Sequence, residues 1–100
     1  MKEKLFNKLS VARKAGKITY GFESVKEEVL KGKASLVLLA KDLPPKSAKE
    51  TEFFCKDKAT VVKTDISMSE YANHIGVLTG IITLTDDGFT KAVKSVLEVE

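Results

Sequence analysis

From Leu36 to Ala40 the chain reads L-V-L-L-A, with no polar residue to mark a solvent-facing side. Successive side chains of a strand point to opposite faces, so such a segment is apolar above and below and needs cover on both sides. Gly80 to Leu84 (G-I-I-T-L) comes close to the pattern, with Thr83 its one polar residue. Two such strands exclude a sheet with one face open to water and require packing elements on each side.

The rest of the chain predicts those elements as helices. Lys2 to Ala15 places Leu5, Leu9, Ala12 and Ala15 on one face, with Gly16 as the stop. Glu23 to Leu30 sets Phe22, Val25, Val29 and Leu30 on a common stripe that ends at Gly32. Pro44 and Pro45 open a helix whose inward side uses Ala48, Phe54 and Cys55, since proline is tolerated in a first turn. Ser67-Met68-Ser69-Glu70 has the Ser-x-x-Glu form of a capping box and starts a helix through Ile75. Asp86 or Asp87 caps a final helix with Phe89, Ala92, Val93, Val96 and Leu97 at helical spacing. Short extended pieces at Ile18 to Tyr20 and Thr60 to Lys63, with Ser35 to Ala40 and Gly80 to Leu84, make four strands.

Strand–helix–strand units with short connections favour parallel pairing. The expected fold is α/β: one domain over residues 1–100, a three-layer α/β/α sandwich with a small mixed, largely parallel four-stranded sheet. Ligands of such sheets gather beyond the strands' C-terminal ends. Here those loops are expected at Lys41–Pro44, Thr64–Ser67 and Thr85–Gly88.

Several function classes drop out. With 43% hydrophobic and 31% charged residues the chain has an ordinary globular composition and is not disordered. Its longest apolar run is far too short to span a bilayer, and the opening Met-Lys-Glu-Lys carries no apolar signal segment, so no membrane association and a cytoplasmic location are expected. Cys55 is the single cysteine, which excludes an internal disulfide and a cysteine-based zinc site. His74, the only histidine, has no partner in sequence and reads as a helix-surface residue. Cys55 reads as a small core side chain, Asp86 and Asp87 as helix caps, and Glu27 and Glu28 as neighbours on different parts of a helix surface. No phosphate-cradling glycine loop is present. No catalytic residue, metal ligand or cofactor is assigned, and the chain is expected not to be an enzyme.

Charge is distributed unevenly. Residues 1–50 hold twelve Lys/Arg against six Asp/Glu, and residues 51–100 hold five against eight. Residues 4 to 22 carry Lys4, Lys8, Arg13, Lys14 and Lys17 with no acid among them, and then pass through Gly21 into the second helix. Unpaired cations leading into a helix N-terminus suit a polyanion.

The motifs A-R-K-A-G-K at 12–17, G-F-E-S at 21–24, G-K-A-S-L-V-L-L-A-K-D at 32–42, Gly76-Val77 and Asp-Gly-Phe at 87–89 occur together in one order. In these the chain resembles the kink-turn RNA-binding family of ribosomal proteins, the archaeal L7Ae type, and above all its small bacterial YlxQ-type members. The resemblance implies that the second helix presents its N-terminus to a kink-turn, with Gly21, Phe22, Glu23 and Ser24 at the RNA. It implies that Gly76, Val77, Leu78 and Thr79 form a loop closing over an extruded base, Val77 and Leu78 giving an apolar platform. Lys14, Lys17, Lys33 and Lys41 would neutralise backbone charge, provided they share a face with that helix start. Glu23-Ser24 stands where many relatives have Asn-Glu or Lys-Gln, Glu27 replaces a lysine, and Met68 and Thr79 fall at other basic positions. The expected function is non-catalytic binding of structured, kink-turn-like RNA, ribosomal or ribonucleoprotein-associated, by a monomer. The alternative is a protein–protein module on the same fold that has lost RNA binding.

Overall fold

In a computed structural model the structure describes residues 2–98. Residues 1, 99 and 100, the ends of the expected 1–100 domain, lie outside the described residues. The elements run α1 (Lys2–Lys14), β1 (Ile18–Tyr20), α2 (Phe22–Leu30), β2 (Leu36–Leu39), α3 (Pro45–Cys55), β3 (Thr60–Lys63), α4 (Met68–Ile75), β4 (Ile81–Leu84) and α5 (Asp87–Leu97).

Every residue of β2 and of β4 is buried, as the unbroken apolar run of β2 and the near-apolar run of β4, interrupted only by Thr83, require. Alternate side chains feed two cores. Leu36, Leu38, Ile82 and Leu84 pack with α1, α4 and α5 on one face, through Leu9, Tyr71 and Val93 among others. Val37, Leu39 and Ile81 pack with α2 and α3 on the other, through Val25, Val29, Ala48 and Phe54. The result is the three-layer sandwich around a mixed four-stranded sheet.

The sheet is not largely parallel. Its order is β1-β4-β2-β3, and only β2 and β3 pair in parallel, while β4 runs antiparallel to both β1 and β2. The cause lies in α4. Lys41 N–H donates to Ile66 O at 2.8 Å just before α4, and Ala40 N–H donates to Gly80 O at 2.9 Å just after it. The chain therefore leaves and re-enters the sheet at the same end, and β4 must run back between β1 and β2.

Two helical stripes are also narrower than their spacing predicts. Ala15 is exposed because α1 stops at Lys14, and Phe6 joins Leu5, Leu9 and Ala12 inside. Leu30 is 52% exposed, since the step from Val29 turns it away from the sheet. Helix caps fall where expected: Ser67 and Glu70 form a reciprocal capping box, and Asp86 accepts from Phe89 N–H.

The buried polar residues among those described are all threonines, and each satisfies its hydroxyl on the main chain. Thr51, Thr64, Thr79, Thr83 and Thr90 donate to backbone carbonyls at 2.6–2.9 Å. Thr64 spends its one hydrogen on Leu39 O, so the buried Tyr71 hydroxyl, 2.8 Å away, donates to Thr64.

Burial pushes the Tyr71 phenol up to about 12 and the Cys55 thiol up to about 11. Both folded values are raised, so this stability is complete below the ordinary values of 10.0 and 9.0 and drains away as pH climbs through them to 12 and 11. Urea midpoints followed by circular dichroism are expected to fall steadily above about pH 9. Tyr71→Phe should cost about 0.5–1.5 kcal/mol at neutral pH and flatten the decline above pH 10. An unaltered alkaline slope in that variant would count against the buried phenol as its source.

Candidate nucleic-acid interface

β1, β2 and β3 point the same way, so their C-terminal ends and the starts of α2, α3 and α4 collect at one end of the sheet. Because β4 is reversed, its N-terminal end joins them. Gly21 N–H donates to Ile81 O at 3.1 Å, which ties the start of α2 directly to the strand that follows the 76–80 loop. Met68 N–H donates to Asp42 Oδ1 at 2.9 Å and binds the 41–44 loop to α4.

The start of α2 is open. Gly21 has φ 92° and ψ 148°, a region that only glycine occupies without strain. A Cβ placed there would have nothing within 4 Å. No side chain caps this helix, in contrast to α4 and α5. The first-turn N–H groups thus face outward beside bare backbone, with Glu23 and Ser24 both exposed. Phe22 does not stack outward: its half-buried ring meets Phe54 edge-on at 5.4 Å and closes the α2–α3 core. Tyr20, at the C-terminal end of edge strand β1, is 46% exposed.

In the loop before β4 only part of the expected platform faces solvent. Leu78 is 76% exposed, whereas Val77 is 3% exposed and packs in the core. Thr79 is buried, its Oγ1 donating to Ile81 O at 2.9 Å and accepting from Ile81 N–H at 3.2 Å. Val77 and Thr79 therefore hold the loop, and Leu78 projects from it. Gly80 is where the loop touches the 41–44 segment, and a Cβ there would lie 2.5 Å from Leu43 Cδ1.

The lysines divide. Lys41 lies at this end, with Asp65 at 4.0 Å, an exposed and weakly coupled pair. Lys17 and Lys33 lie at the other end: Lys17 O accepts from Thr85 N–H, and Lys33 precedes β2. One strand length, roughly 10 Å, separates them from the α2 start. They fail the condition of sharing its face, and so does the Thr85–Gly88 loop, carried away by the reversal of β4. Lys14 is the exposed last residue of α1. Beside it Arg13, part of the basic run but not among the expected RNA contacts, brings its guanidinium to the 76–79 loop, with Nη1 3.7 Å from a Cβ position on Gly76. No spacing rule pairs residues 13 and 76.

Local acids are partly committed. Glu27 binds Lys31 at 2.7 Å, and that hydrogen bond holds its carboxyl below the usual range. Glu70 is likewise lowered, first by the Ser67 N–H and then by Lys2. His74 stacks on Phe6 at 4.0 Å on the exposed side of α4. Among the described residues no cluster of His, Cys, Asp and Glu could hold a metal ion, and no helix is long and apolar enough to cross a membrane.

A mixed sheet ordered 1-4-2-3, sandwiched by two and three helices, with an uncapped helix start and a small loop at one sheet end, defines a class of small α/β/α proteins. The chain belongs to the Ribosomal protein L7Ae/L30e/S12e/Gadd45 family, whose model matches residues 3–92. It is 29% identical over 89 residues to the large ribosomal subunit protein eL30 of Eremothecium gossypii, covering 86% of this chain and 85% of that one. Among solved structures it superposes on a protein of unknown function from Bacillus halodurans with TM-score 0.88 at 23% identity, over 95% of this chain and 97% of the other. It also superposes on the 15.5kD RNA binding protein of Giardia lamblia with TM-score 0.79 at 21% identity, over 97% and 84%. These structures share its fold.

Gly21→Ala is expected to destabilise the fold by about 1–3 kcal/mol through backbone strain alone. Denaturant titration measures it. A loss near zero would show that the positive φ is not required.

Proposed function

We propose that this protein binds structured RNA without catalysis, at the sheet end formed by the α2 start, the 76–79 loop and the 41–44 loop. The observation that carries this reading is the open start of α2 at Gly21, hydrogen-bonded to the strand that follows the Leu78 loop. Bare backbone permits close approach, first-turn N–H groups and the helix dipole favour phosphate, and Leu78 offers an apolar surface to an unstacked base. Family membership supports it, as do the ribosomal and RNA-binding descriptions of the Eremothecium and Giardia proteins. The RNA is of kink-turn type, ribosomal or ribonucleoprotein-associated, and the protein acts as a cytoplasmic monomer without a cofactor. In this assignment Gly21, Phe22, Glu23, Ser24, Lys41, Gly76 and Leu78 keep places at the interface, joined by Arg13, and Val77 and Thr79 support it from behind.

A second reading, a protein–protein module without RNA affinity, draws on the exposed Phe53 and Leu30. It predicts no salt-sensitive RNA binding.

Titration of a fluorescent kink-turn RNA against a straight duplex of the same composition separates the two. Preference for the kink-turn is expected. Arg13→Ala and Lys41→Ala should each weaken binding roughly three- to fivefold at low salt and lower the salt slope by about 1. Lys17→Ala and Lys33→Ala should do neither. Equal effects from all four would show general charge attraction and overturn the site.

Glu23→Gln is expected to tighten RNA binding while lowering stability by about 0.3–1 kcal/mol, because a first-turn carboxylate complements the helix dipole but repels phosphate. Unchanged affinity in that variant would place Glu23 outside the interface.

A further inference from the structure

Between α2 and α3 runs a groove of about 810 Å³ that no packing requirement explains. Phe53 and Phe54 are adjacent on α3, yet Phe54 is 7% exposed beneath Phe22 while Phe53 is 82% exposed. Across the groove Leu30 is 52% exposed on α2. An isolated exposed leucine is ordinary, but a free phenylalanine facing a second apolar residue across a channel is an available surface.

The charges around it have one dominant sign. Lys26, Lys49, Lys56 and Lys58 line the groove against Glu23 and Glu50 only. Its upper end is formed by Phe22 and Glu23, the first residues of α2. From there it descends the length of α2, roughly 13 Å, toward the far end of the sheet. The groove is therefore continuous with the open helix start and carries cations down to Lys58, well beyond it.

We infer that this groove is a track for a single-stranded segment of the bound RNA, with Phe53 as the stacking platform for a base and Lys49, Lys56 and Lys58 facing its phosphates. The inference rests on the RNA-binding reading for the folded part of the ligand. An exposed aromatic ring among lysines is the arrangement that holds single strands without sequence preference, because every base has a π-face. The net positive charge and the continuity with the α2 start favour a nucleic-acid strand over an acidic peptide.

The chain has no tryptophan, so Phe53→Trp makes a single-tryptophan reporter that keeps the stacking surface. Titration of the full-length Phe53→Trp protein with oligouridine alone should quench its emission, and the quench should weaken with salt. In parallel, a kink-turn RNA carrying a single-stranded uridine tail, placed on each end in turn, is compared with the tailless RNA. One of the two tails should raise affinity by on the order of fivefold or more. Phe53→Ala should remove that gain, leave tailless binding within about twofold and, at so exposed a position, leave stability unchanged. Lys56→Ala and Lys58→Ala should lower the salt slope for the tailed RNA only. Absence of quenching, or a tail gain that survives Phe53→Ala, overturns the track. Quenching by an acidic amphipathic peptide in place of oligouridine also overturns it and assigns the groove to a protein. Failure of tailless RNA to bind, with quenching intact, instead sinks the folded-RNA reading.

Discussion

Burial of β2 and β4 on both faces is the constraint from which the rest follows. With apolar residues at every position from Leu36 to Leu39, these strands cannot border water anywhere along their length. Helices must cover them above and below, and the interior has no place for an unpaired polar group. The five buried threonines respect that limit by donating to main-chain carbonyls. The one buried phenol, Tyr71, is satisfied by one of those threonines. Burial keeps the Cys55 thiol protonated well above neutrality and so inert as a nucleophile. Polar chemistry is left to the rims of the sheet and the outer faces of the helices.

Strand direction then makes the two rims different. Three strands deliver three helix starts to one rim, and two of those starts, at Gly21 and Pro44, have no side-chain cap. Helix starts carry partial positive charge, so this rim attracts anions even though Glu23, Asp42 and Asp65 are there. The opposite rim has lysines, Lys17 and Lys33 among them, but α2 and α3 meet it with their C-terminal ends and α5 with a start already capped by Asp86. Cations thus have different meaning at the two rims, and a count of lysines along the chain cannot separate them.

What the sequence made legible was local. Apolar runs, proline at a first turn, the Ser67–Glu70 capping box and the Asp86 cap each act within a few residues, and each is found in place. Strand order was not legible, because it depends on where α4 leaves and rejoins the sheet, a matter of contacts such as Lys41 to Ile66 across the chain. That single uncertainty propagated to the Thr85–Gly88 loop, carried away from α2 by the reversal of β4, whereas Lys17 and Lys33 are held from the α2 start by the lengths of β1 and of α2 itself. The 76–79 loop failed differently. A loop has no period, so nothing in V-L-T distinguished the outward Leu78 from the inward Val77. The family motif includes Gly21, and the structure gives it a positive φ next to a strand end, a requirement that only glycine meets cheaply.

Glu23 draws the remaining tension together. A helix whose first residue forgoes a capping side chain has unsatisfied N–H groups, and a carboxylate in the first turn is one way to complement them. The same groups are the ones proposed to meet phosphate, so helix stability and RNA affinity compete for a single set of donors. A serine, threonine or aspartate at position 21 would satisfy them permanently, but its Cβ is excluded by the φ of 92° that brings the backbone to the surface. Glycine leaves the donors open, and Glu23 compensates from one side only, where its charge can swing away from an incoming phosphate into solvent. On this account the carboxylate tunes the site instead of abolishing it. Its repulsion is strongest at low salt and fades as the Debye length shortens, opposite in sign to the attraction from Arg13 and Lys41. Net salt dependence is therefore smaller than the number of nearby cations alone would imply.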